Sequence, residues 1–365
     1  MIFVHELGHF LAARACGVQV LEFAIGMGPA IFKHKSKRSG TVYSLRIIPL
    51  GGFNSLLGED EEIELEEKNE EAKKEDSVEI AKEKKLDPRA LSSRPRWQRL
   101  IILFAGSFMN VLTGMLAMFV VVCMQPGYNN STVYAFQYQD KYYYECEENT
   151  SFVAGLRSGD TITHINGRFV NGWTDIVNTI SLDGTEPLDI TVTRDGNKLV
   201  IEDVVFPTSV EKGVEFGVVN FVTEYNEFGF MDRLGQTVER SVATVKTIYK
   251  SLVKMISGAY GLDGVSGPVG TVGTIGEAVS SEEVGEFRLS YVFYLFSFVS
   301  INLGVMNLLP IPALDGGRIF FVLIEMIRRK PIDKKYEGMI HLVGMALLLA
   351  FMVIITVSDL SKFFR

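Results

Sequence analysis

The chain has 365 residues, of which 47% are hydrophobic and 22% charged, and its mean hydropathy is +0.19. This balance excludes an ordinary soluble protein and also a protein buried in a membrane throughout, so we expect membrane-spanning segments joined to water-exposed regions. The net charge of −8 arises in residues 59–87, where 14 acidic residues outnumber 6 lysines. The rest of the chain is neutral, and no basic surface indicates nucleic acid as a partner.

The opening segment, residues 1–18, is apolar and has a helical pattern. At about 1.5 Å per residue it is too short for a complete transmembrane helix. We interpret it as part of a first transmembrane helix, which an apolar extension of about 15 residues would complete. Three other stretches hold the roughly 20 apolar residues that cross a bilayer. They predict transmembrane helices at 99–125, 287–309 and 336–358.

Two different regions lie between the first two predicted helices. Residues 19–57 predict short β segments with glycine turns, because Thr41–Ile48 alternates and Gly51-Gly52 interrupts it. We therefore expect a small β-hairpin sheet there. Residues 58–98 are rich in acidic residues and lysine, a composition typical of a solvated linker.

The region after the second predicted helix contains turn signals between short strands. The pattern predicts strands at Thr161–Ile165, Leu188–Arg194 and Lys198–Val205, with a helix at Trp173–Ser181. Residues 209–286 are predicted to be an amphipathic helical region, in which Met231–Ile256 has apolar residues at helical spacing. That helix either packs on its own domain or lies at the membrane surface, and the pattern leaves both alternatives open.

Basic residues near the predicted spans give the expected orientation. One cluster follows the opening segment, a second precedes the helix at 99–125, and a third lies in the 310–335 loop. Positive residues concentrate on the cytoplasmic side of membrane proteins. We therefore expect these three clusters in the cytoplasm, and residues 126–286 and the C-terminus outside it.

The opening segment contains the motif His-Glu-Leu-Gly-His, in which His5 and His9 flank Glu6. Residues four apart lie on one helix face, about 6 Å apart at Cβ. Two imidazoles can therefore share one Zn²⁺ at about 2.1 Å each. Glu6 could take a proton from zinc-bound water and give it to a leaving amine. Because such residues are costly to bury in lipid without partners, we favour a metal site over two histidines in an apolar core.

A catalytic zinc ion needs three protein ligands and one open position. The remaining histidines lie in settings that are not typical of a ligand, and they are His34, His164 and His341. Asp315, in "NLLPIPALDGGR", follows the cytoplasmic end of a predicted helix, at a depth similar to that of His5 and His9. In isolation it would be a turn aspartate before two glycines. Beside the histidine motif, we predict that Asp315 is the third ligand.

Together, "HELGHF" (5–10) and "NLLPIPALDGGR" (307–318) resemble the site-2 protease family of intramembrane zinc metalloproteases, in particular the bacterial regulator-of-sigma-E type with PDZ domains. Further segments resemble the membrane-associated β-hairpin ("IIPLGGF", 47–53), the second helix ("FAGSFMNVL", 104–112), the PDZ carboxylate loop ("AGLRSGDTITHINGRFV", 154–170) and the segment before the third helix ("GVSGPVG", 264–270). Many members have Gly-Pro where this chain has Gly106-Ser107, and an apolar run before the histidine motif.

The resemblance implies a polytopic α-helical membrane protein with about four transmembrane helices, the first truncated, a membrane-associated β-hairpin and an extracytoplasmic PDZ domain of the α+β class at 130–208. It implies a Zn²⁺ cofactor held by His5, His9 and Asp315, with Glu6 as the base. Asn307 matches an asparagine that positions substrate. The other implied binding residues lie on the hairpin (Ile47, Ile48, Gly51 and Gly52) and in the PDZ loop (Gly155, Leu156, Gly159 and Asp160).

The implied reaction is cleavage of transmembrane segments, with an active site near the cytoplasmic side of the cell membrane. The implied partners are single-span anti-sigma-factor-like proteins, remnant signal peptides and membrane lipid. The PDZ domain could recruit substrates or exclude bulky ones. Two other classes remain: a PDZ-bearing membrane scaffold or chaperone with an inactive metal site, and an ion or zinc transporter. The intact Glu6 argues against the scaffold, and a transporter would need more mid-span polar residues than Asn110 and Asn302.

Overall fold

A computed structural model describes residues 1–58, 87–211, 214–258, 288–330, 332 and 334–363. Most of the predicted acidic linker, the "GVSGPVG" segment and the end of the predicted amphipathic region lie outside the described residues. The chain divides into two compact units. Unit 1 comprises residues 1–113 and 300–351, and unit 2 comprises residues 114–299 and 352–365.

Unit 1 begins with helix α1 (Ile2–Ala15), followed by strands β1 (Val20–Lys35) and β2 (Val42–Leu56). The two strands pair in an antiparallel two-stranded sheet. Residues 22–25 of β1 pair both with residues 42–45 and with residues 52–55 of β2, so each strand consists of two short segments, as predicted. Gly26, Gly28 and Gly51 have positive φ angles of 82–87° at irregularities of the register. Glycine tolerates these angles, so the strands bend without ending.

An apolar cluster joins α1 to the base of the hairpin. Its buried members come from α1, the hairpin, the short turn Leu91–Ser93 and helix α2 (Arg96–Met124), and they are Phe10, Ala13, Val18, Val20, Phe23, Leu56, Leu91 and Ile102. The far end of the hairpin is different, because Ile31, Phe32 and Ile47 are 66%, 61% and 58% exposed. Large apolar side chains that remain exposed in a contiguous region indicate a membrane or partner surface.

Four further helices contribute to unit 1 in the described residues, and three of them are apolar enough to span a membrane. They are α2, α6 (Arg288–Asn307) and α8 (Lys334–Phe363), with apolar spans at Arg96–Met124, Leu289–Asn307 and Tyr336–Val357. The three predicted spans are therefore confirmed as helices. The fourth, α7 (Asp315–Arg328), is amphipathic, and its buried Glu325 accepts a hydrogen bond from Arg99 at 2.9 Å.

Glycines allow the helices of unit 1 to approach closely. A Cβ atom at Gly8 would lie 2.4 Å from the carbonyl oxygen of Ala105, and one at Gly304 would lie 2.9 Å from that of Ser107. Helices with glycine at the contact can bring their backbones together inside a membrane. The hydroxyl of Ser300 also donates to the carbonyl of Asn110 at 2.8 Å. These contacts fix α1 and α6 against α2.

Unit 2 is built around an antiparallel sheet in the order β11-β3-β5-β7-β8. Its elements are β3 (Gly127–Tyr138), β4 (Lys141–Tyr143), α3 (Thr150–Val153), β5 (Thr161–Ile165), β6 (Arg168–Phe169), α4 (Trp173–Asp183), β7 (Leu188–Arg194), β8 (Asn197–Val204), β9 (Thr208–Glu211), β10 (Val214–Gly217), β11 (Phe221–Glu227) and α5 (Phe230–Ile256). Side chains between the sheet and α4 form one core, in which Ile176, Ile180 and Ile190 are fully buried.

The folded sheet extends beyond the predicted boundary at 208. Strand β11 pairs with β3, and Phe221 is 2% exposed within the same core. The prediction that residues 209–286 are helical was therefore wrong at their start, where β9, β10 and β11 precede α5. The sheet needs β11 because β3 would otherwise be an unpaired edge.

Helix α5 packs on unit 2 through its polar face. Its buried residues include Thr237, Ser241 and Thr244, and Lys246 forms an ion pair with Asp175 of α4 at 2.6 Å. The predicted apolar stripe lies on the other side, and its exposed members are Leu234, Val238, Val242, Tyr249 and Ile256. The packing therefore accounts for the polar face and leaves the apolar face open.

Candidate active site

Helix α1 brings the two histidines of the motif together. Their ring centroids are 4.8 Å apart, and their Nε2 atoms are 3.2 Å apart. Nδ1 of His9 donates to the carbonyl oxygen of Ile102 at 2.8 Å, in a buried contact with α2. Because a neutral imidazole carries one proton, Nε2 of His9 then has a free lone pair. A backbone carbonyl on the second ring nitrogen is a common way to orient a metal-binding histidine.

Two asparagines surround the other face of His5. The Nδ2 atoms of Asn110 and Asn307 lie 3.3 and 3.5 Å from its Nδ1. If Nε2 of His5 binds a metal, Nδ1 carries the proton, and either asparagine becomes an acceptor when its amide is turned to exchange nitrogen and oxygen. The structure thus brings the predicted Asn307 to His5.

Asp315 reaches the same point from the far end of the sequence. Its Oδ2 lies 3.1 Å from Nε2 of His5 and 3.2 Å from Nε2 of His9. Asp315 is the first residue of α7, and the glycines after it pack against the preceding loop. A Cβ atom at Gly316 would lie 2.1 Å from the carbonyl oxygen of Leu309, and one at Gly317 would lie 2.6 Å from that of Ile311. Only glycine allows the helix to start there.

The three ligand-type atoms fit a zinc ion. They form a triangle with sides of 3.1, 3.2 and 3.2 Å. Ligands at about 2.0–2.1 Å from a tetrahedral zinc are separated by roughly 3.3 Å. Oδ2 of Asp315 is also buried without a hydrogen-bond donor in the described part of the chain. Lone pairs that face one another at this distance repel, so the triangle needs a cation.

Glu6 is held by the hairpin. Nδ2 of Asn54, on β2, donates to Oε2 of Glu6 at 3.1 Å and to its carbonyl oxygen at 2.5 Å. A Cβ atom at Gly52 would lie 3.2 Å from Cγ of Glu6, so β2 passes close to this side chain. The sequence pattern did not single out Asn54. The available signal was its position, two residues after Gly51-Gly52 in the predicted hairpin sheet.

A cavity of about 810 Å³ opens at these residues. Its lining includes His5, Glu6, His9 and Asp315, together with β2 from Gly52 to Leu56. His341 of α8 also lines it, although the sequence analysis placed this histidine outside the site. Of the predicted hairpin residues, only Gly52 lines this cavity, while Ile47 and Ile48 are exposed along β2.

The predicted PDZ-loop residues have clear structural contacts. Leu156 is fully buried in the core, and Gly155 and Gly159 have φ angles of 115° and 91°. Asp160 is also fully buried, where both of its oxygens accept from the guanidinium of Arg194 at 2.7 Å. The two side chains among these four residues therefore hold the loop in place, and binding of a ligand by its backbone stays a prediction.

The sequence matches the model for peptidase family M50 over residues 1–351. This chain belongs to that family, the site-2 proteases. It is 32% identical to the zinc metalloprotease RasP of Geobacillus kaustophilus, over all of this chain and 96% of the relative. It is 31% identical to the regulator of sigma-W protease RasP of Bacillus subtilis, over all of this chain and 96% of the relative. The family membership predicted from the two motifs is confirmed.

Membership of this family establishes the class of reaction. The chain is a membrane protein and a zinc metalloprotease of the site-2 type, as the sequence predicted. Both relatives match along nearly their whole length, so the likeness includes both units of this chain.

Proposed function

We propose that this protein hydrolyses peptide bonds within transmembrane segments of other membrane proteins. The observation that carries the proposal is the triangle of His5, His9 and Asp315, with atoms 3.1–3.2 Å apart and Glu6 beside it. In this role His5, His9 and Asp315 hold zinc. The metal supplies a Lewis acid and lowers the pKa of a bound water, as in other zinc hydrolases.

The proton transfers fall to Glu6. Asn54 fixes its Oε2 from one side, so the carboxylate faces the cavity in one orientation. Glu6 takes the proton of the attacking water and then protonates the leaving amine, so the proton count balances over one turnover. The His9–Ile102 contact keeps the imidazole in the tautomer that can bind metal. With its amide turned so that the oxygen faces Nδ1, Asn110 or Asn307 does the same for His5.

The substrate must present an unwound strand, because a helix protects its own amides. Strand β2 lines the cavity beside Glu6, and β1 and β2 form a sheet of only two strands in the described residues. An extended substrate could add to this edge through backbone hydrogen bonds. In this proposal Ile47, Ile48, Gly51 and Gly52 contact the substrate. Ile47→Pro should slow cleavage of the substrate. Unchanged turnover would show that the substrate does not pair with β2.

We also propose that the sheet of unit 2 is a PDZ domain on the extracytoplasmic side, with the active site near the cytoplasmic face. The basic clusters support this orientation. The exposed apolar stripe of α5 supports the alternative in which that helix lies at the membrane surface. The B. subtilis relative is named a regulator of sigma-W protease, which supports single-span anti-sigma-factor-like substrates. Remnant signal peptides are the second substrate class.

The decisive experiment is Glu6→Gln in the full chain, reconstituted in lipid nanodiscs with a single-span test substrate. Loss of a general base lowers the rate by about 10²–10⁴-fold. We expect cleavage to fall by that factor while one zinc per chain is retained. Glu202→Gln, at an exposed position of β8, is the matched control and should cleave normally. A scaffold, chaperone or transporter would keep its function in the Glu6 variant.

The role of the PDZ domain can be separated by deleting residues 127–227, the folded sheet as the structure bounds it. If the domain gates the site, cleavage of substrates with bulky outer parts should rise. If it recruits substrate, cleavage should fall for every substrate.

A further inference from the structure

The loop that carries Asp315 contains an unusual residue. Ala313 has a φ angle of 75°, in the left-handed region. Residues with a Cβ atom are disfavoured there, and those that adopt it are most often Asn or Asp. A strained backbone of this kind persists only where the surroundings hold it. Ala313 therefore needs a partner.

That partner is His341 of α8. The backbone N–H of Ala313 donates to Nδ1 of His341 at 2.8 Å. The ring is itself fixed, because Phe321 packs edge-on against it with centroids 5.6 Å apart. Its Nε2 is buried without a hydrogen-bond partner in the described residues. The hydrogen bond at Nδ1 is thus the polar contact that anchors this side chain to the loop.

The same helix presses against the residue before Ala313. A Cβ atom at Gly344 would lie 2.3 Å from Cβ of Pro312. Helix α8 therefore touches the loop at two successive positions, once through backbone packing and once through His341.

We propose that His341 is a positioning residue for the zinc site. It holds Ala313 in the left-handed conformation and so delivers Asp315, two residues later, to His5 and His9. The inference rests on the zinc-ligand roles proposed above. His341 is not a ligand through Nδ1, because that lone pair accepts the Ala313 N–H.

The accuracy that zinc binding requires in the position of Asp315 explains why the loop needs the hydrogen bond to His341. Relaxing φ of Ala313 to the right-handed region near −63° would turn the following chain by roughly 140°. A turn of that size moves an atom two residues away by several ångströms. Metal–ligand distances must agree to within about 0.2 Å. Without the hydrogen bond, Asp315 would reach the zinc position in only part of the population.

The test compares His341→Gln with His341→Met in the full chain in nanodiscs. The two side chains have similar length and volume, but only glutamine offers an oxygen that can accept the Ala313 N–H. Zinc affinity is measured by competition with a chromophoric chelator, which does not depend on cleavage. Loss of a residue that orients a ligand lowers metal affinity by about 10–100-fold. We expect that loss in the Met variant and a change below about threefold in the Gln variant.

A second change makes the test specific to the backbone. Glycine adopts positive φ without a steric penalty. Ala313→Gly added to His341→Met should therefore recover at least half of the lost zinc affinity on a logarithmic scale. Ala313→Gly alone should change the zinc affinity little. The kcat should follow zinc occupancy, while KM stays within about twofold. A general packing role for His341 would give no recovery with glycine, and that result would overturn the proposal, as would equal affinities of the Gln and Met variants.

If His341→Met does not fold, the unaltered protein still gives an answer. Nitrogen NMR of a ¹⁵N-histidine sample should show His341 with an unprotonated Nδ1 and a protonated Nε2. A protonated Nδ1 would overturn the proposal. Failure of the proposed protease function would give a different result. The Glu6→Gln variant would then cleave normally, while the zinc affinities of the His341 variants would still follow the order given above.

Discussion

The sheet of unit 2 and the metal triangle of unit 1 are assembled in different ways. The sheet is completed by residues between 127 and 227, and its buried core lies between Val133 and Phe221. The triangle joins residues 5 and 9 to residue 315. Its neighbouring segments meet where glycines let one backbone contact another, as at Gly8 and Gly316, and Gly106 leaves room for the ring of His9.

This contrast separates two kinds of mutational effect. The sheet is stabilised by apolar area and by ion pairs, so substitutions there should change the free energy of unfolding. The site depends on a few close contacts, so substitutions there should change zinc binding or rate while the helices persist. Four substitutions test this separation, in order of decreasing effect.

Gly106→Ala should have the largest effect. A Cβ atom there would lie 2.2 Å from Nε2 of His9, so it would displace the ligand atom itself. We expect zinc affinity to fall by more than about 100-fold, the upper end for losses of support around a ligand. Chelator competition measures this fall. Gly235→Ala is the control, since a Cβ atom there meets nothing within 4 Å, and zinc binding should be unchanged. Equal affinities of the two variants would contradict the contact.

Asp160→Asn should weaken unit 2 and leave the zinc site intact. Asp160 is fully buried and paired with Arg194. Arg194 is one-third exposed and stays hydrated when its partner is neutralised, so the cost is that of lost hydrogen bonds to a charged group, about 1.5–3 kcal/mol. Fluorescence of Trp173, which packs against Phe221 in the core, follows unfolding of this unit. Asp87→Asn, in an exposed pair with Arg89, is the control and should leave the stability unchanged. Loss of zinc affinity in Asp160→Asn would mean that the two units are not energetically separate.

Asn54→Ala should slow cleavage without changing zinc content. It removes the donor that orients Oε2 of Glu6. A lost hydrogen bond to a charged group is worth about 1.5–3 kcal/mol, so we expect kcat to fall by roughly 10–100-fold. Single-turnover cleavage with zinc analysis checks this. Ser55→Ala, at the next position of β2, serves as the comparison. A normal rate in Asn54→Ala would show that Glu6 is oriented by other contacts.

Glu239→Gln should have the smallest effect, and one that depends on pH. Burial raises the pKa of Glu239 to about 7, with the nearby Asp175 acting in the same direction. The folded state therefore favours the protonated acid, and stability falls as pH rises from the ordinary value of about 4.5 towards 7. The variant should be more stable than the parent at pH 8, by below about 1 kcal/mol because of solvent screening, and equal to it at pH 5. Trp173 fluorescence at the two pH values measures this. A gain of equal size at both would exclude ionisation as the cause.

Sequence patterns predicted the parts of this protein that depend on local signals. The strands Thr161–Ile165 and Leu188–Arg194 follow from alternation between turns, and the spans follow from apolar length. Motif spacing predicted that His5 and His9 lie together, and the expected depth of Asp315 and the family resemblance predicted that it joins them. The strands and spans depend on residues close together in the sequence. The metal site depends on motifs whose side chains have few roles other than binding a metal.

Other features depend on contacts that no short window contains. Strand β11 lies more than 80 residues from its partner β3, and its weak alternation becomes meaningful only when Phe221 fills the core. Asn54 and His341 are ordinary polar residues until folding brings them to Glu6 and Ala313. Helix α5 buries its polar face rather than its apolar one, because Lys246 pairs with Asp175 of α4 and Thr247 accepts a hydrogen bond from Asn178 of the same helix.

The distance in sequence between the two halves of the metal triangle also sets an order of events during synthesis. His5, Glu6 and His9 leave the ribosome before Asp315, which follows His9 by 306 residues in the sequence. The Arg99–Glu325 ion pair is completed later still. A nascent chain therefore carries the proposed base and two of the three proposed ligand residues until the segment with Asp315 has been made. The triangle of ligand-type atoms can form only after that segment has joined α1.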